Sequence, residues 1–288
     1  MITTLSSATK TVTISPESPT VIIGERINPT ARKKLGEALL VGDVEIVRRE
    51  ALSQVQAGAQ ILDVNVGYPG VDEPRMVKEA VKAVMETVDV PICLDSASPE
   101  VMEAALTVYQ GKILLSSVTG EDSKMDQILP LVKRHGTAVV ALLMDDTGIP
   151  NDARVRFEIA RKIVGRAEAL GIPREDIIVD CACMTVGTDS TAGAVTLETI
   201  RLVRQELGCN MTLGASNVSF GLPERKTINA AYLPMVLAAG VNCPIVDPTV
   251  PEIAKAILSS DLLLGKDEYG MSYLRAYRAR QAAEAAAK

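Results

Sequence analysis

Eight short apolar runs, each followed by a longer segment of helical periodicity, constrain this chain more than any other feature. The runs are VIIGERI (21–27), AQILDVN (59–65), PICLDS (91–96), KILLSS (112–117), AVVALLM (138–144), DIIVDC (176–181), NMTLGASN (210–217) and NCPIVD (242–247). A strand with one wet face alternates apolar and polar residues. These runs do not, so both faces are expected to be covered, as in a parallel sheet flanked by helices. Between and after them the spacing predicts helices at about 44–57, 73–87, 99–109, 122–134, 152–170, 194–207, 226–240, 250–264 and 267–284. The punctuation agrees. Asp43 and Ser98 are candidate N-caps, Pro99 suits a first helical position, and Gly136 and Gly171 suit left-handed C-caps. Eight strand–helix units in 288 residues predict an α/β fold, a (β/α)8 TIM barrel. An open doubly wound sheet is the alternative, but no strand leads into G-x-G-x-x-G and there is no G-x-x-x-x-G-K-[ST]. Without an internal linker, the expected organisation is a polar N-terminal arm over 1–20 and one barrel domain over 21–288. The Ala-rich end QAAEAAAK reads as a fraying helix terminus.

Charge and composition narrow the function. A net charge of −6 argues against a nucleic-acid binder, which needs a basic face. With aromatics at 3% and no Trp, stacking platforms for single strands are not expected either. The five cysteines include no C-x-x-C, and Cys181 with Cys183 forms only a C-x-C. They read as reduced, buried thiols of a cytoplasmic protein, not as a metal site. The sole histidine, His135, falls at a predicted helix end, where it suits the helix dipole better than catalysis. No run reaches the ~18 apolar residues of a membrane span, and the first residues lack a secretory core.

In a parallel barrel the C-terminal strand ends converge on one mouth. Here those ends carry Glu25 and Asn28, Asp63 and Asn65, Asp95 and Ser96, Ser116 and Ser117, Asp145 and Asp146, Asp180, Ser216 and Asn217, and Asp247. Each alone is an ordinary cap or turn residue, and Asp145–Asp146 before T-G-I-P reads as a turn. Together they make a mouth rich in hydrogen-bond acceptors with no basic cluster. A pterin offers such a mouth a 2-amino group and a ring N–H, a fork that one carboxylate can accept. Its carbonyl and ring nitrogens want the donors of Asn and Ser. A sugar, or Mg²⁺ on oxygen ligands, would suit the same residue types.

The segments GERIN (24–28), LDVNVG (62–67), CLDS (93–96), VDC (179–181) and SNVSFGLPER (216–225) resemble, in matching order, the pterin-binding TIM-barrel methyltransferases. The nearest group is the methyltetrahydrofolate:corrinoid-protein methyltransferases, kin to the folate domain of cobalamin-dependent methionine synthase. The resemblance implies that Asp95 and Asp180 bind the pterin, with Asp63 and Asn65 in support. Asn217 matches the amide that works at N5 of the pterin, and Arg225 an arginine of the following loop. Glu25, Asn28 and Phe220 fall at the mouth, facing the corrinoid. Two positions depart from the pattern. Ser116 stands where folate-using relatives carry a pterin-contacting Asn, which implies contact through a bridging water. Phe220 stands where some relatives are polar.

What the resemblance implies about chemistry is methyl transfer between N5 of tetrahydrofolate and the cobalt of a corrinoid carried by a partner protein, with no metal of the chain's own. Transfer from methylcorrinoid to tetrahydrofolate suits a demethylation pathway, and the reverse suits carbon fixation. A homodimer is expected from the family. The rivals are a dihydropteroate synthase-like enzyme, which would need cations for a pyrophosphate near the seventh strand, a non-catalytic pterin-binding protein, and a metal-dependent lyase on the same barrel.

Overall fold

The computed structural model describes residues 1–286; the last two positions of the Ala-rich end, 287 and 288, lie outside the described residues. In chain order the elements are β1 (Thr3–Ser6), β2 (Thr11–Ile14), β3 (Ile23–Ile27), α1 (Lys33–Leu40), α2 (Glu45–Gln56), β4 (Ile61–Val64), α3 (Glu73–Thr87), β5 (Ile92–Asp95), α4 (Pro99–Leu106), β6 (Leu114–Thr119) and α5 (Asp122–His135). They continue with β7 (Ala138–Leu142), α6 (Ala153–Ala169), β8 (Ile177–Asp180), α7 (Ala192–Glu206), β9 (Asn210–Thr212), α8 (Arg225–Ala239), β10 (Ile245–Val246), α9 (Pro251–Leu263) and α10 (Met271–Ala286).

Strands β3 to β10 form one parallel eight-stranded sheet in the order β10-β3-β4-β5-β6-β7-β8-β9. A bridge between Gly214 and Ile245, with the Ile245 N–H donating to the Leu213 carbonyl at 3.0 Å, joins the two ends. The fold is a TIM barrel. Its strands are apolar throughout because one face meets the barrel interior and the other meets helices. The helices are held by the expected devices. Helix α3 buries Met76, Val77, Ala80, Val81 and Val84 along one stripe, and Asp72 caps it by accepting from the Arg75 N–H. Ser98 caps α4 ahead of Pro99, and Gly136 ends α5 with φ at 62°, which a side chain would strain. Asp43 acts one residue earlier than expected. Its carboxylate accepts from the Glu45 N–H at 2.9 Å while Val44 holds the cap position.

Two segments differ from the sequence reading. Helix α1 lies in what looked like loop. It starts at Lys33, with Arg32 at the cap position making no side-chain capping bond, and buries only Leu35, Gly36 and Leu39, a stripe too short to stand out. The stretch 1–20 is not a detached polar arm. Strands β1 and β2 pair antiparallel, and Leu5, Val12 and Ile14 are buried among Ile23, Ile61, Cys93, Leu114, Ala138, Val140, Ile178 and Cys243. Most of those partners lie at the N-terminal ends of the strands, so the hairpin plugs the barrel floor and shares its core. Asn210 ties it down, donating to the Thr3 hydroxyl at 2.8 Å and the Ile14 carbonyl at 3.0 Å. T-V-T-I looks polar in composition, but it alternates, and the alternate residues are the buried ones. With the floor closed, the barrel opens at its C-terminal end. No helix among the described residues is long and apolar enough to cross a membrane.

Candidate active site at the barrel mouth

The mouth opens on a cavity of about 590 Å³, within the usual range for small-molecule sites. Glu25, Asn28, Asp63, Asp95, Ser116, Asp180, Asn217, Phe220 and Arg225, which lie on or beyond six different strands, all line it. Asn65 stands behind, donating from Nδ2 to Asp95 Oδ2 at 2.9 Å. Asn28 reaches the same oxygen only at 3.4 Å. Asp145 and Asp146 are not among the lining residues; Asp145 forms a turn, accepting from the Thr147 N–H and bridging to Gly148.

Burial governs the four carboxyls. It pushes Asp180 up to about 6, although the Ala182 N–H, donating at 2.8 Å, opposes the rise. It pushes Glu25 up to about 7, against the Ser216 hydroxyl that donates to it at 2.8 Å. Asp95 is raised by burial and partly restrained by Asn65. Asp63 is raised well above the carboxylate range by burial and by neighbouring Asp95. Its Oδ1 is buried without a hydrogen-bond partner. Asp63 lines the cavity, and a buried oxygen left unpaired there calls for a polar partner. Carboxyls that titrate near neutrality can accept from a ligand when ionised and donate when protonated.

Asn217 sits in a 3-10 turn, Ala215–Ser219, that follows β9. The turn arises because Gly214 leads in and small polar residues fill it. The Asn217 carboxamide lies over Gly214, so close that a Cβ there would meet Nδ2 at 3.0 Å. Its backbone is used by the turn, accepting from the Phe220 N–H at 3.1 Å. Beside it, Arg225 donates to the Ser219 hydroxyl at 3.1 Å and the Ser216 carbonyl at 2.8 Å, and its guanidinium rests 5.5 Å from the centre of the exposed Phe220 ring. Arg225 therefore braces the loop that carries Asn217.

Sequence reading passed over one rim network. Arg26 bonds Glu50 at 2.6 Å and Asp247 at 2.7 Å, and Arg32 bonds Glu50 at 2.5 Å. Arg26, Arg32 and Asp247 line the cavity. Asp247 was visible as a strand end, but Glu50 lies on α2, 24 residues beyond Arg26, and nothing local pairs them. All five cysteines are free and buried. Among the described residues, no group of three His, Cys, Asp or Glu side chains is placed to hold a metal ion.

The pterin binding enzyme family matches residues 24–247. A methylcorrinoid:tetrahydrofolate methyltransferase of Eubacterium limosum is 32% identical over 266 residues, covering 90% of this chain and 96% of that protein. Methionine synthase of Mycobacterium tuberculosis is 31% identical over 255 residues; the match covers 84% of this chain but only 21% of that longer protein. Among solved structures, a dihydropteroate synthase of Xanthomonas albilineans superposes with a TM-score of 0.66 at 18% identity, covering 92% of this chain and 98% of that one. At that identity the likeness speaks for the barrel alone.

Proposed function

The chain belongs to the family of pterin-binding enzymes and is a methyltransferase; from that premise we propose that it moves a methyl group from a methylcorrinoid, carried by a partner protein, to N5 of tetrahydrofolate. The observation that carries the proposal is one cavity in which Asp95 and Asp180 lie with an Asn217 carboxamide that no protein group among the described residues engages. The direction is supported by the activity that names the Eubacterium limosum relative.

Asp95 and Asp180 accept the donors of the pterin's pyrimidine edge and fix the ring. Asp63 supplies the oxygen without a partner at the cavity wall, Asn65 aims Asp95, and Ser116 contacts the ring through water. The corrinoid is a substrate here, and its methyl leaves cobalt without the bonding electron pair. The N5 lone pair forms the new N–C bond, and N5 then loses its proton. Asn217 serves that change by accepting from protonated N5 through its amide oxygen. In the reverse direction the same amide oxygen holds the proton on N5 while the methyl departs with the N5 pair left behind on the pterin. Phe220, Asn28 and Glu25 lie toward the incoming partner. The same proposal includes a cytoplasmic location and a homodimer, the latter supported by the exposed apolar side chains Leu262, Leu263, Leu264, Tyr269 and Met271 around the α9–α10 junction.

The dihydropteroate synthase-like alternative fails on charge. Among the described residues, the cations lining the cavity are Arg26, Arg32 and Arg225. The first two are paired with Glu50, and the third is spent on backbone and hydroxyl oxygens of its own loop. Arg225 keeps its charge but is held by its own loop, and one guanidinium is a poor match for a pyrophosphate.

The test is optical. Methylcobalamin, or a methylated corrinoid protein, is mixed with tetrahydrofolate and enzyme, and the loss of the methyl-cobalt spectrum is followed alongside formation of 5-methyltetrahydrofolate. Catalysed, folate-dependent demethylation is the expected result. Tight folate binding with no exchange in either direction would leave a binding protein and end the proposal.

A further inference from the structure

Arg156, in the first turns of α6, is completely buried. A guanidinium in that position ordinarily has a carboxylate beside it, because burying an unpaired cation is expensive. Among the described residues Arg156 forms no ion pair, and its Nη2 has no hydrogen-bond partner. Its other donors go mainly to backbone: Nε to the Pro150 carbonyl at 2.7 Å, and Nη1 to the Cys181 carbonyl at 3.1 Å, the Ala182 carbonyl at 2.7 Å and, more distantly, the Thr196 hydroxyl at 3.3 Å. The Thr196 hydroxyl, 3.3 Å from Nη1, lies between the Ala192 carbonyl at 3.0 Å and the Ala182 carbonyl at 3.2 Å and closes the pocket around the guanidinium.

These carbonyls have a particular place. The peptide that joins Cys181 to Ala182 offers its oxygen to Arg156 and its N–H to Asp180 Oδ1 at 2.8 Å. A cation on one end of a peptide strengthens the hydrogen bond that the other end donates. Ala182 also sits at φ 56°, a left-handed conformation that a residue with a Cβ adopts only when its surroundings hold it there. The bond that Arg156 donates to the Ala182 carbonyl at 2.7 Å is that restraint.

We propose that Arg156 is a positioning residue for the pterin site: it locks the left-handed turn after β8 so that the Ala182 N–H meets the Asp180 carboxylate, and it lends that peptide its charge. This rests on Asp180 being a pterin anchor, but the geometry of the clamp does not. Besides Arg156, the groups that bear on Asp180 are Asp95 across the cavity, which raises it, and the thiols of Cys181, Cys183 and Cys243, all kept neutral by burial. Of these groups Arg156 is the cation, so its loss leaves only the Ala182 N–H, itself no longer held in place, against burial and like charge.

The experiment titrates Asp180 directly. Carboxyl carbon resonances of aspartate-labelled full-length protein are followed from pH 4.5 to 9, with Asp180 assigned by its absence in Asp180→Asn. In Arg156→Met the Asp180 midpoint is expected to rise by about one pH unit or more, while Arg156→Lys, which keeps the charge but not the fork, rises less. A folded Arg156→Met with an unmoved or lowered midpoint overturns the proposal. If Arg156→Met does not fold, a midpoint in Arg156→Lys equal to or below the native one overturns it as well. In parallel, tetrahydrofolate affinity of Arg156→Met falls at pH 7 and recovers part of its loss at pH 8.5. Wild-type protein that binds no folate would sink the functional reading alone, since the titration still decides the role of Arg156.

Discussion

Asn65 donates to Asp95 across 2.9 Å, so a side chain outside the cavity aims one that lines it. Removing the donor leaves Asp95 buried with its restraint gone, and its carboxyl should rise further. A hydrogen bond to a charged group contributes about 1.5–3 kcal/mol. Asn65→Ala is expected to weaken tetrahydrofolate binding about tenfold by calorimetry at pH 7, and Asp95→Ala more severely. Equal affinity in Asn65→Ala and the native protein would show that Asp95 needs no such support.

Asn217→Ala should lower methyl transfer by at least about tenfold with unchanged circular dichroism, since a hydrogen bond to charge that develops in the transition state is worth about 2–4 kcal/mol, as for oxyanion-hole groups. Folate affinity should change far less than turnover. Gly214→Ala provides a gentler version. The new Cβ would lie 3.0 Å from the Asn217 amide nitrogen, and the backbone there, at φ −73°, accepts any residue. Turnover is expected to fall while the melting temperature holds.

The acidic mouth should make stability depend on pH in a direction opposite to ordinary ion-paired carboxylates. Folding raises Glu25 from 4.5 to about 7, so the folded state binds the extra proton. That stabilisation is complete below the unfolded value and is lost as pH rises through about 7. Glu25→Gln removes the titration. At pH 8 it is expected to be more stable than the native protein by about 2–3 kcal/mol in urea, with the gap closing toward pH 5. A gap that widens on acidification would contradict the assignment.

The floor and the mouth should be energetically separable. Leu5→Ala in the hairpin removes a fully buried side chain and should cost about 2–5 kcal/mol of stability. Calorimetry on the folded variant should give native folate affinity.

The barrel was readable because its signal is local: each buried strand is a short apolar run, and each helix keeps its own stripe and caps. Ser98 before Pro99 and the turn at Gly136 could be placed from the residues themselves. The hairpin was missed because T-V-T-I buries only alternate residues, which leaves its composition polar. The site was legible as a set of strand ends, since a parallel barrel gathers them whatever the intervening sequence. Which of them touch was not. Glu25 meets Ser216 across 191 residues, Arg26 meets Asp247 across 221, and the Arg156 clamp joins α6 to the turn after β8. No spacing rule links such positions.

The central claim is that acidic side chains at the mouth hold a reduced pterin with its N5 presented to Asn217. A crystal structure with tetrahydrofolate tests it most directly. The predicted result is a pterin ring held by Asp95 and Asp180 with N5 within hydrogen-bond reach of the Asn217 carboxamide. A ring bound outside this cavity, or bound with N5 turned toward the barrel floor, would contradict it.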